Sequence, residues 1–131
     1  MQCLDTNIVV DFFRGDARVN SWMESMAAQG EFFSVTMLTV CELYKGVFLS
    51  AHRDEHKRQL ESFLRTVQVL DLTVKASEVY GQIYEKLKSA GKPTQDFDLL
   101  IAAIVIAHNR TFITKDIKDF RNIPGIKIGG V

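Results

Sequence analysis

The stretch MQCLDTNIVVDFF, Met1 to Phe13, decides how the rest of the chain reads. Met1, Cys3 and Leu4 form a short β-rich run, and Ile8, Val9 and Val10 open a helical one. Between them stands Asp5. An unpaired carboxylate is costly to bury, so a residue of this kind in this setting calls for something that compensates its charge.

The bulk numbers bound the answer. A chain of 131 residues is large enough for one continuous core, and it reads as a single domain over residues 1–131. Hydrophobic residues at 47% and charged residues at 24% fit a folded globular chain rather than a disordered one. No apolar run approaches the roughly 18–20 residues of a membrane span. No basic start leads into a long apolar stretch, so the expected location is cytoplasmic, with no membrane partner. Cys3 and Cys41 give no disulfide framework and read as small buried hydrophobes in a reducing compartment. Sixteen basic and sixteen acidic residues cancel, so contact with nucleic acid has to come from a local site.

Short β-rich runs alternate with helical ones along the chain. MQCL is the first strand, and NIVVDFF through NSWMESMAAQ is one or two helices broken near Gly15 and Asp16. FFSV is a strand, MLTVCELYKGVFLS a helix, and HRDEHKRQLESFLRTV an amphipathic helix with Leu60, Phe63, Leu64 and Val67 on one stripe. VQVLDL is a strand, and KASEVYGQIYEKLKSA a helix stopped by Gly91 and Pro93. DFDLLIAAIVIAHN is an almost wholly apolar, hence central, helix; TFIT and IKI are the last strands. This alternation implies a parallel sheet covered on both faces. Ligands bind such sheets beyond the carboxyl ends of the strands, where the strand order reverses. Asp5 and Asp116 each follow a strand; Asp71 does too, but without acidic company.

The other acids have two readings each. Glu42 lies with Thr39, Lys45 and Gly46 on the only polar stripe of its helix, either a solvated face with a Glu–Lys pair or a site. Gly46 weakens that helix by about 1 kcal/mol against alanine, tolerable where something must approach closely. Asp96 suits the amino end of a helix. Asp98 faces Ile101, Ala102 and Val105, and either assists the helix start or points into a lined cavity. Asp119 supports Asp116 or caps a short turn. Taken together, Asp5, Glu42, Asp98 and Asp116 are expected to converge at one end of the sheet. Crowded carboxylates raise one another's pKa unless a cation lies among them, and an all-oxygen set selects Mg²⁺ or Mn²⁺. His52 and His56 are spaced as a metal pair but lack a third ligand, and read as solvated surface.

LDTNIVVDF, TVCELYKGV, DFDLLIAAIVIAHNRTFITKDIKDF and IPGIKI together resemble the PIN domain, in the form found in VapC-type toxins of bacterial toxin–antitoxin pairs. The resemblance covers essentially the whole chain. It implies a three-layer α/β/α fold, with a five-stranded parallel sheet of order 3-2-1-4-5 and a protruding helical hairpin after Ser34 and Ala51. It maps the family's acidic, metal-holding and catalytic site onto Asp5, Glu42, Asp98 and Asp116, with Thr6, Asn7 and Thr114 as polar supports. It implies a Mg²⁺- or Mn²⁺-dependent endoribonuclease that hydrolyses structured RNA such as tRNA, a cognate antitoxin and a homodimer. Asp96 and the Tyr44-Lys45 pair depart from the usual pattern. By proximity in sequence, Lys45, Lys115 and Lys118 are candidate contacts to RNA phosphates. Rival readings are a phosphoryl-transfer domain with Asp5 as nucleophile, a catalytically silent PIN-fold binding module, and a housekeeping nuclease without a toxin role. Asn7, where a haloacid-dehalogenase-like site wants a second aspartate, weighs against the first.

Overall fold

The computed structural model describes all 131 residues. Five short parallel strands, β1 (Gln2–Leu4), β2 (Phe33–Thr36), β3 (Gln68–Leu70), β4 (Thr111–Ile113) and β5 (Lys127–Gly129), pair in the order β3-β2-β1-β4-β5. Two helices precede β2, α1 (Thr6–Phe13) and α2 (Ala17–Ala28); two precede β3, α3 (Met37–Leu49) and α4 (Arg53–Leu64). The third connection carries α5 (Val74–Ser89) and α6 (Asp96–Ala107) back across the sheet, and one turn of helix, α7 (Ile117–Phe120), precedes β5. The sheet and its order are those expected from the sequence.

Successive strand residues point to opposite faces, and each face closes a separate core. Cys3 and Phe112 face α5 and α6, among Ile83, Leu87, Leu99 and Ile104. Leu4 and Ile113, their immediate neighbours, face α1 to α4, among Ile8, Val9, Leu43 and Leu60. The apolar helix α6 owes its composition to this arrangement: its run Ile101 to Val105 is buried without interruption.

Punctuation matches the sequence signals. The break between α1 and α2 falls at Gly15, whose φ of 76° is left-handed, and Asp16 then caps α2 by accepting the Val19 N–H at 3.0 Å. The hairpin α3–α4 closes on Leu43, Val47, Leu60 and Phe63, while Phe48 and Leu49 at its tip stay exposed. Phe12 and Phe13 pack on Phe63, with ring centroids 5.8 and 5.3 Å away. One expectation fails: Cys41 is exposed, because its place on α3 turns away from both cores, and only Cys3 is buried. A Cβ on Gly46 would meet no atom within 4 Å, so no part of the chain itself uses the room this glycine leaves.

Phe112 ties the acidic end of β4 to the core, packing edge-on against Phe120 of α7 at a centroid distance of 4.8 Å. Phe112→Ala is expected to cost about 3–5 kcal/mol in urea unfolding, as for a fully buried phenylalanine that leaves a cavity. A loss under about 1 kcal/mol would show that β4 and α7 are not held this way.

Candidate functional site

The strand order reverses between β1 and β4, the neighbours to which the chain crosses in opposite directions, and the candidate acids gather beyond that point. Leu4 and Ile113 are register partners, so the next residues, Asp5 and Thr114, leave the sheet side by side. Asp5 is 6% exposed. One carboxylate oxygen accepts the Thr6 N–H at 2.8 Å, capping α1; the other accepts the Thr114 hydroxyl at 2.7 Å. Within the chain, Asp5's burial is met by a pair of neutral donors and by no basic side chain. They compensate in part: burial, joined by the charges of Asp116 and Glu42, pushes its carboxyl up to about 6 against both hydrogen bonds.

Around this floor the other acids are held in the same manner. Glu42 accepts the Thr6 hydroxyl at 2.6 Å, and that hydroxyl lies 3.1 Å from the Thr39 hydroxyl. Thr39 and Glu42 of the polar stripe of α3 thus face α1 and the site, while Lys45 and Gly46 are exposed. Asp116 accepts from the Asn7 amide at 3.0 Å, and its own N–H donates to the Thr114 hydroxyl at 3.0 Å. Thr114 therefore links Asp5 to Asp116 through one oxygen. Asp98, half-buried at the start of α6, has its carboxyl raised by burial first, then by the charges of Asp119, Asp116 and Glu42; no hydrogen bond offsets the rise. It does not cap its helix with a strand-side partner but stands in the shared field of the cluster.

None of the four carboxylates is ion-paired: the chain's salt bridges engage Glu31, Glu61 and Asp11. Nor do any three acidic, histidine or cysteine side chains stand as a closed set for an ion. The tight convergence expected from the sequence is thus only partly met. Asp5, Glu42 and Asp116 each lean on neutral donors, Asp98 on none, and like charges disfavour closer approach. An all-oxygen set of this openness still suits Mg²⁺ or Mn²⁺, since Mg²⁺ keeps several waters and is held by one or two carboxylates together with substrate phosphate.

The remaining candidates divide. Asp96 accepts the Tyr80 hydroxyl at 2.7 Å and so fastens α6 to α5, away from the cluster. Asp119 lies within α7 and lines a mostly polar cleft of about 350 Å³ with Asp98, Lys92, Lys118 and Asn122. Lys45 lines a smaller cleft with Cys41, Glu42 and Phe97. Lys115 is different: its ammonium is bound to Asp11 of α1, so it braces the loop that carries Thr114 and Asp116. Sequence reasoning missed this partner because Asp11 sits 104 positions earlier. It also missed the Thr6–Glu42 contact, for which no local signal exists.

A carboxyl whose folded-state value is raised favours its neutral form. For Asp5 that stabilisation is fully present below its ordinary 3.8 and is lost as pH rises through about 6. In chelator, Asp5→Asn is therefore expected to be more stable than the parent above pH 6, by up to about 3 kcal/mol, with the gap closing toward pH 4. Thermal melts across that range check it; a gap independent of pH would overturn it.

The chain matches the PIN domain model over residues 3–126. It is 30% identical to Ribonuclease VapC2 of Rickettsia felis, covering 94% of this chain and 92% of that one. It is 29% identical to a tRNA(fMet)-specific endonuclease VapC of Salmonella typhimurium, over 72% of this chain and 71% of that one. A crystal structure of VapBC2 from Rickettsia felis bound to a promoter DNA fragment superposes with a TM-score of 0.90 at 27% identity, covering 99% of this chain and 98% of that one. With its sheet order, its acidic end and these likenesses in agreement, the chain belongs to the PIN domain family.

Proposed function

We propose that this protein is a metal-dependent endoribonuclease and the toxin of a toxin–antitoxin pair. The carrying observation is a group of carboxylates at the switch point of the sheet with no cation of the chain's own among them. Asp5, Glu42, Asp98 and Asp116 would hold Mg²⁺ or Mn²⁺, which when bound supplies Lewis-acid polarisation of the phosphodiester and an activated water.

The chain's residues do the positioning. Thr6 and Thr114 fix the rotamers of Glu42 and Asp5, and Asn7 holds Asp116. Lys118, beside Asp98 and Asp119, is the best-placed phosphate contact, with Lys45 on the other side of Glu42. Lys115 serves as a brace rather than an RNA ligand. Structured RNA such as tRNA is the proposed substrate, in keeping with the Salmonella relative's name. An antitoxin partner is in keeping with the VapBC2 neighbour, and a homodimer with the family resemblance. No helix is long and apolar enough to cross a membrane, and a cytoplasmic place of action is proposed.

Purified protein with total RNA is expected to cleave in Mg²⁺ or Mn²⁺ and not in chelator, with Asp98→Asn slower by about 100-fold or more. Cleavage indifferent to chelator, or equal in the variant, would sink the reading. Thr6→Val keeps the shape of the side chain but removes the hydroxyl from Glu42. It is expected to lower the cleavage rate roughly 10- to 100-fold, as loss of a partner behind a metal ligand does, with the melting temperature little changed. An unaltered rate would show that Glu42 needs no such support.

A further inference from the structure

Behind Glu42 stands a threonine that none of the four acids touches. Thr39 lies one turn before Glu42 on α3, on the same face of the helix, and is 0% exposed. Its hydroxyl has one hydrogen-bond partner, the Thr6 hydroxyl at 3.1 Å, and no bond to Glu42 itself. Thr6 in turn meets Glu42 at 2.6 Å, the shorter of its two contacts.

Counting hydrogens fixes the direction of this chain. A hydroxyl donates once, and an ionised carboxylate, the form that holds a metal ion, only accepts. The Thr6 hydrogen therefore goes to Glu42, and the Thr39 hydrogen goes to the Thr6 oxygen. Full burial of Thr39 keeps water from becoming its acceptor instead. A threonine hydroxyl otherwise turns freely about its C–O bond. Accepting from Thr39 aims the Thr6 hydrogen at Glu42, and each bond of such a relay polarises the next.

We propose that Thr39 is a positioning residue of the acid site, holding Glu42 in place through Thr6. The proposal rests on the ribonuclease reading above. It gives the buried hydroxyl a task that packing does not require, since valine has the same shape.

The test separates that hydroxyl from the shape of the side chain. Thr39→Val and Thr39→Ala lack the hydroxyl, whereas Thr39→Ser keeps it and lacks the methyl. Each variant is titrated calorimetrically with Mn²⁺ without RNA, then assayed on total RNA in Mg²⁺, with melts in chelator to establish folding. Both hydroxyl-free variants are expected to bind Mn²⁺ and cleave RNA about three- to tenfold more weakly, with Thr39→Ser within about twofold of the parent, as for one neutral hydrogen bond. In the Thr6→Val background, Thr39→Val is expected to add no further loss, because its route to Glu42 is gone. Losses that multiply in the double variant overturn the proposal and leave the nuclease standing. So does a loss that follows the methyl, with Thr39→Ser weakened and Thr39→Val like the parent, which assigns Thr39 to packing. A parent that neither binds Mn²⁺ nor cuts RNA brings down the nuclease reading, and the proposal with it.

Discussion

Most of this structure turns on how a buried Asp5 is made tolerable. Its carboxylate caps α1 through the Thr6 N–H and binds the Thr114 hydroxyl, so one side chain fastens the end of β1 to the end of β4 and starts the first helix. Neutral donors lower the cost of the charge but do not remove it, and the carboxyl stays raised to about 6. An asparagine there would avoid the buried charge while keeping an acceptor oxygen for the Thr6 N–H. Keeping the charge with no cation of the chain beside it leaves the carboxyl raised, the deficit on which the proposed divalent ion rests.

The deficit is local, because the chain has basic residues to spare. Lys115 stands next to Asp116 in sequence, yet its ammonium goes to Asp11 on the outer side of α1. That pairing braces the Thr114–Asp116 loop against α1 and leaves the Lys115 ammonium bound to Asp11 rather than to any of the four acids. Lys118 lines the polar cleft beside Asp98 and Asp119 without forming an ion pair. Lys118 thus stands beside the cluster without neutralising it, as the proposed contact to an RNA phosphate requires.

Much of this was legible in the chain. Alternating short β-rich and long helical runs gave the layered parallel sheet, and the strand-end rule picked out Asp5 and Asp116 from sixteen acidic residues. Strand order, by contrast, came from the resemblance, since periodicity cannot say which strands are neighbours. The stripe on α3 was ambiguous for a related reason: Thr39 and Glu42 look like part of a solvated face until Thr6 of α1 is laid against them. Cys41 was misread because composition reports how often cysteine is buried, not which way one position on a helix turns.

The sequence by itself determined the local conformations and the inventory of chemistry: which segments coil, where Gly15 and Gly91 stop them, and that oxygen donors without histidine or cysteine make up the acidic set. These follow from interactions within a few residues, which a linear pattern records. Only the tertiary structure decided which donor each acid received, where Lys115 sent its charge, and that Gly46 borders an open cleft rather than a neighbouring helix. Those contacts join residues separated by tens to over a hundred positions, and their geometry is set by how whole helices pack on the sheet.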